Sequence, residues 1–184
     1  MSEVSVFLRH IGIADSLSIL SVEVLSGRLP AQGMLRLTLR KPQGEEPSVL
    51  KLEARILDAF VFLCTVFGPA VRVFDTLVRI PSRPEEVQHL AVIRMGSGAI
   101  VHLDASSRSD HSGGDAWEYA SRDSLLAMDE RRDDPLLQGG NSELALGALG
   151  LGEGFPADPA ALAAARNLLA TMALSAARGE PQCP

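Results

Sequence analysis

Residues 34–40, MLRLTLR, alternate with a period of two. Leu35, Leu37 and Leu39 share one side, and Arg36, Thr38 and Arg40 share the other, which predicts a strand with one buried and one solvated face. VRVFDTLVR (71–79), VQHLAVIRM (87–95) and AIVHLDASS (99–107) read as three further strands. IPSRPEE joins the first two of these, and Gly96-Ser97-Gly98 makes a tight hairpin between the second and third. AWEYA and SLLAMDE read as two more around Arg122-Asp123, and VSVFLR (4–9) as a short strand at the start.

Three stretches switch to the helical period. ADSLSILSVEVLSG carries Leu17, Leu20 and Val24 on one face, with Asp15 or Ser16 as cap and Gly27 as stop. Residues 52–67 place Ile56, Phe60, Leu63 and Phe67 in a stripe that Gly68-Pro69 ends. DPAALAAARNLLATMALSAARG has Asp158 as cap, Pro159 in the first turn and Gly179 as closure. Residues 130–157, rich in Asp, Gly and Leu, read as a long loop with short helical turns.

Strand, helix, strand, helix, about five strands by pattern and a final helix imply an α+β two-layer sandwich. Its sheet is mixed, mostly antiparallel and open, with helices on one face and the other face left for association. The expectation is a single domain over residues 1–184.

With 46% hydrophobic and only 4% aromatic residues, the core must be aliphatic. The net charge of -6 and scattered arginines exclude a phosphate backbone as partner. No apolar run reaches the roughly 18 residues of a membrane span, and no signal peptide precedes the first strand, so a cytoplasmic soluble protein is expected. Cys64 reads as a buried small hydrophobe and Cys183 as a loose thiol.

Little chemistry is explicit. Neither GSG at 96–98 nor GALGLGEG at 147–154 follows a strand and opens a helix, as a dinucleotide fingerprint requires. No histidine pair has the spacing of a helical metal site. His102, Asp104 and Ser106 share one strand face, either a polar pocket wall or a solvated or interface side. Trp117 and Tyr119, the one Trp and the one Tyr, share another and line a pocket, anchor a contact or cover the sheet. Lys51, Arg55 and Asp58 fall on one helix face, where Arg55 and Asp58 at i, i+3 can pair.

In order along the chain, several stretches resemble the C-terminal half of the Gfo/Idh/MocA oxidoreductases, the glucose–fructose oxidoreductase and inositol dehydrogenase family. FLR…LSILSVEVLSGRLPAQGMLRLTLR resembles that family's last Rossmann strand (here within residues 1–12), the helix after it and the first strand of its second domain. ILDAFVFLCTVFGPAVRV resembles its H-x-x-D-x-x-x-x-L-x-G helix, HLAVIRMGSGAIVHLDASS its GSGA hairpin, GDAWEYASRDSLLAMDE its W-E-I hairpin, and PADPAALAAARNLLATMALSAARGEP its closing helix.

The resemblance implies a second domain that contacts substrate and packs its open sheet on another subunit, while a Rossmann domain with a Glu-Lys-Pro lysine binds NAD(P). That Rossmann domain has no counterpart here beyond its last strand. The family's acid and base in Asp-x-Gly-x-His-x-x-Asp correspond to Lys51 and Arg55, with only Asp58 keeping its identity, and its two hairpin glycines correspond to Ala120 and Asp123. Arg cannot act as a base near neutral pH. A lysine can do so only with its pKa strongly lowered.

The expected function is therefore a standalone, dinucleotide-free relative acting as a substrate-binding, dimerisation or accessory subunit, with no cofactor of its own and NAD(P) only through a partner. It is not expected to be an active dehydrogenase by itself. Its partner is a second copy through the open sheet face or a Rossmann-containing oxidoreductase subunit, with a small anionic or sugar-like ligand, and neither nucleic acid nor membrane. The alternative is a cofactor-independent isomerase, lyase or cyclase on a pocket of Lys51, Arg55, Asp58, His102 and Trp117. A third reading is a truncated product that folds without a function.

Overall fold

The computed structural model describes residues 14–111, 114–122, 124–129 and 159–184. The strand expected at 4–9, the loop at 130–157 with its glycine cluster, and the Asp158 cap and Asp123 turn position lie outside the described residues, as do the side chains of Asp15 and Ser16.

Helix α1 (Ala14–Leu25) leads into β1 (Met34–Arg40), and α2 (Val49–Phe67) into β2 (Ala70–Ile80), β3 (Arg83–Met95) and β4 (Ile100–Ser106). A 3-10 turn (Ser109–His111) precedes β5 (Ala116–Ala120) and β6 (Leu125–Asp129), and α3 (Pro159–Arg178) is the last described helix. The sheet order is β2-β3-β4-β1-β5-β6. Among the described residues only β1 and β4 pair in parallel, and the other four pairs are antiparallel. This is the mixed, mostly antiparallel sheet of an α+β sandwich.

Alternation decides the two faces. Leu35, Leu37 and Leu39 of β1 are fully buried, as are Ile56, Phe60 and Leu63 of α2. The same side holds Val101, Leu103 and Ala105 of β4, and Ile93 and Met95 of β3. α2 packs beside α3, and α3 lies along β2, so one sheet face carries the core. Each buried leucine contributes roughly 1.5–3 kcal/mol as an upper figure, and this aliphatic layer holds the sandwich together. The opposite face, with Arg36, Phe74, Leu90, Val92, Arg94 and His102, has no helix over it among the described residues and is exposed.

Two boundaries differ from the sequence pattern. α2 begins three residues before 52, because Ser48, in extended backbone, accepts a hydrogen bond from the Lys51 amide and caps the helix. β3 begins inside the expected connector, at Arg83, and pairs there with Ile80 across a two-residue turn. The register then jumps so that Arg79 faces Val87, leaving Pro84, Glu85 and Glu86 outside the ladder. A proline in a bulge withholds no ladder hydrogen bond, so Pro84 does not end the strand.

α2 stops at Gly68, whose φ of 76° lies in the left-handed region. α3 is 20 residues long and contains an 18-residue stretch of mean hydropathy 1.3, enough by length and composition to cross a membrane, contrary to the expectation that no run would qualify. Ala161, Ala165, Leu168 and Met172 are buried on one side of it, which places it as a core helix of a globular domain.

Candidate functional site

The first turns of α2 are held from three directions. Ser48 caps the Lys51 amide, and the carboxylate of Glu85, from the β3 bulge, accepts from the Val49 amide at 3.2 Å. A carboxylate there also meets the positive end of the helix dipole. Lys51 reaches outward and pairs with Glu45 at 2.8 Å, both exposed. That hydrogen bond and the lysine's charge hold the Glu45 carboxyl below its ordinary value.

Arg55, one turn on, points inward and is 7% exposed. Its Nη2 donates to Oδ2 of Asp115 at 2.5 Å, and its Nη1 donates to the Arg40 carbonyl. Asp115, 1% exposed, uses its other oxygen to accept the Arg40 amide at 2.9 Å. The ion pair therefore brackets both backbone groups of the last residue of β1. It ties α2, β1 and the start of β5 together at one corner. A guanidinium suits this because its planar fork serves two acceptors at once.

Asp58 is buried in α2, and Trp117 is buried on the helix-facing side of β5, opposite Leu37 of β1. Tyr119 lies on that side too. It stacks on Phe67 with ring centroids 6.0 Å apart and donates its hydroxyl to the Pro30 carbonyl. Burial pushes its phenol up. These two aromatics therefore belong to the cover over the core.

His102 is elsewhere. It pairs with Arg36 in β1, and Arg36 pairs with Glu118, so His102 shares the open face with Glu118 while Trp117 faces the helices. The sheet itself separates His102 from Arg55, Asp58 and Trp117. Asp104, on His102's side, takes both guanidinium nitrogens of Arg40 (2.9 and 2.5 Å) and the Gln88 amide at 2.8 Å. Burial alone would raise its pKa, but the Arg40 and Gln88 hydrogen bonds outweigh burial and hold it below the ordinary aspartate range.

Two further features carry chemistry that sequence reading passed over. Asp115 is 60 residues from Arg55, and no local spacing marks it. Asp75 and His89 form a buried pair on the helix-facing side of β2 and β3, with Oδ2 to Nδ1 at 2.6 Å. The Asp75 amide donates to the Ser175 hydroxyl, which donates to the Glu180 carbonyl and ties the end of α3 to the β2 edge. A signal existed here: Asp75 and His89 each interrupt the apolar side of an alternating strand.

Among the described residues no three His, Cys, Asp or Glu side chains gather to hold a metal. Gly96-Ser97-Gly98 turns between antiparallel strands and opens no helix, so it cannot present amides to a pyrophosphate.

No family model matches the chain, and no curated protein does. Solved structures do match. A probable dehydrogenase from Thermotoga maritima superposes with a TM-score of 0.67 at 16% identity, over 96% of this chain and 63% of that one. A myo-inositol dehydrogenase from Corynebacterium glutamicum gives 0.66 at 17%, over 96% and 63%. A putative myo-inositol dehydrogenase from Sinorhizobium meliloti gives 0.64 at 15%, over 96% and 64%. The chain has the fold of the C-terminal domain of Gfo/Idh/MocA oxidoreductases, and it spans less than two thirds of the length of each of these proteins.

Proposed function

We propose that this chain supplies the association and ligand-contacting part of an oxidoreductase assembly and does not itself transfer hydride. In this reading the dinucleotide is held by a Rossmann-containing subunit, NAD(P) is engaged only through that partner, and the assembly works in the cytoplasm. The open sheet face joins a second copy or that subunit. A small anionic or sugar-like ligand would meet the chain near the start of α2.

The observation that carries the reading is the state of Arg55. It stands where the family resemblance expects a proton-handling histidine, and it is buried, bonded to Asp115 and holding the end of β1. A guanidinium cannot cycle a proton near neutral pH, and this one is committed to the fold. Lys51 is exposed to solvent and pairs with Glu45, so it lacks the burial that a lysine base requires. The exposed apolar residues Phe74, Leu90 and Val92 on the open face support the association role.

The geometry does not favour an isomerase, lyase or cyclase on Lys51, Arg55, Asp58, His102 and Trp117, because His102 lies across the sheet from Trp117.

The sole tryptophan, Trp117, provides the test. Titrating the purified protein with NADH and NADPH, followed by tryptophan quenching and calorimetry, is expected to show no saturable binding. Saturable micromolar binding of either would overturn the reading.

A further inference from the structure

The strand register gathers cations that lie far apart in the sequence. On the open face, Arg72 of β2 stands directly opposite Arg94 of β3. One row further along the strands, His102 of β4 stands directly opposite Arg36 of β1. Val92 and Ile100 lie between these two pairs, Val92 opposite His102 and Ile100 opposite Arg94. Arg36, Arg72, Arg94 and His102 are all exposed, and none makes a side-chain hydrogen bond or ion pair among the described residues. Like charges directly opposite each other, as at Arg72 and Arg94, destabilise a strand pair unless something answers them.

Little on the same face can answer them. Asp104 already takes both guanidinium nitrogens of Arg40 and the Gln88 amide. Glu118, half-buried and opposite Arg36 in the register, forms no ion pair with it. Among the described side chains, the two rows therefore carry three guanidiniums against one carboxylate, in a chain whose net charge is -6. Positive charge left uncompensated in an acidic protein, beside the exposed Phe74 and Val92, points to an anion that comes from outside the chain.

We propose that Arg36, Arg72, Arg94 and His102 bind an oxyanion of the diphosphate class. The planar fork of an arginine donates two parallel hydrogen bonds to phosphate oxygens. His102 has a ring N–H to donate in either charge state. The two pairs sit two strand spacings apart across the sheet and two residues apart along it, so their midpoints are roughly 12 Å apart. Arginines reaching inward from both pairs, over Val92 and Ile100, meet two linked phosphoryl groups, whereas a single phosphate satisfies one pair. The sheet separates this site from Arg55, so it is distinct from the ligand contact proposed above near the start of α2. On the face given the association role, a bound diphosphate would also neutralise guanidiniums that a partner would otherwise bury unpaired.

Titrating the isotope-labelled chain with sodium pyrophosphate at low ionic strength, followed by amide NMR shifts, tests this. Saturable shifts are expected in β1 to β4 around the four side chains, with half-saturation below about 1 mM. Inorganic phosphate at matched ionic strength is expected to bind at least about fivefold more weakly, because it engages one pair. Arg36→Gln and Arg94→Gln are each expected to weaken pyrophosphate binding by about fivefold or more, since each removes charge-assisted hydrogen bonds. Both positions are exposed, so the circular dichroism spectrum should not change. Arg166→Gln, at an exposed position on α3, is expected to leave binding unaltered.

No saturable binding, or binding that Arg36→Gln and Arg94→Gln leave intact, would overturn the site. Shifts confined to the first turns of α2 would overturn it too and give the anion to the ligand contact proposed there. Equal weakening by Arg166→Gln would reduce the effect to general charge screening and overturn it as well. The association role is read separately, by light scattering without added anion, so the two readings fail independently.

Discussion

Arg55 and Asp115 meet at 2.5 Å across 60 residues of sequence, and between them they hold both the amide and the carbonyl of Arg40. The contact makes the first turns of α2 a joint that ties the helix to the end of β1 and the start of β5.

On the open face the Arg40–Asp104–Gln88 cluster gives a pH dependence. The Asp104 carboxyl is held below its ordinary value, so its stabilisation is present above the unfolded-state pKa, about 3.9. It is lost as pH falls through that value towards the lower folded one. Urea midpoints of the wild type and Asp104→Asn should differ most near neutral pH and converge as pH is lowered. A difference that stays constant down to about pH 3 contradicts this assignment.

Burial pushes the Cys64 thiol up to about 11, while Cys183 is exposed. At pH 8 the native protein should therefore react with one equivalent of a thiol reagent quickly. The second should react only after denaturant is added, since the thiolate is the reactive form.

Gly33 sits against Tyr119. A Cβ built there would lie 2.5 Å from the phenol oxygen and 2.7 Å from the Ala120 carbonyl. Gly33→Ala should cost about 1–3 kcal/mol in urea unfolding, because the tyrosine is packed on Phe67 and cannot retreat freely. Tyr119→Phe should cost less, about 1 kcal/mol, for the hydrogen bond to Pro30.

The Asp75–His89 pair should behave as a unit. His89→Leu leaves a buried carboxylate without its partner and should destabilise by about 3 kcal/mol. Combining it with Asp75→Val should recover most of that loss, as both polar groups then leave the core. Additive losses in the double variant would mean that the two residues act independently.

Much of this fold was legible because alternation and helical stripes are local. The limits of β1 coincide with its alternating run, and Gly68 and Gly179 close their helices where expected. The faces were legible as well: His102 lies between Val101 and Leu103, so it had to oppose the core, whereas Trp117 and Tyr119 flank Glu118 and had to join it. What could not be read is set by pairing at long range. The parallel β1–β4 register, Glu85 reaching the start of α2 from a bulge and Asp115 meeting Arg55 depend on which strands become neighbours. No spacing in the chain encodes that directly. The candidate set Lys51, Arg55, Asp58, His102 and Trp117 divides between the two faces of the sheet, a split that alternation around His102 and Trp117 already marks and that the grouping of these residues into one pocket overlooks.

A double-mutant cycle on Arg55 and Asp115, read by urea unfolding at neutral pH with and without added phosphate, tests the central claim most directly. Arg55→Met and Asp115→Leu should each cost about 3–5 kcal/mol. Their combination should cost much less than the sum, with a coupling of roughly 2–3 kcal/mol that phosphate leaves unchanged. A coupling near zero, or a wild type that phosphate stabilises only when Arg55 is present, would contradict the account and make Arg55 an anion-binding residue.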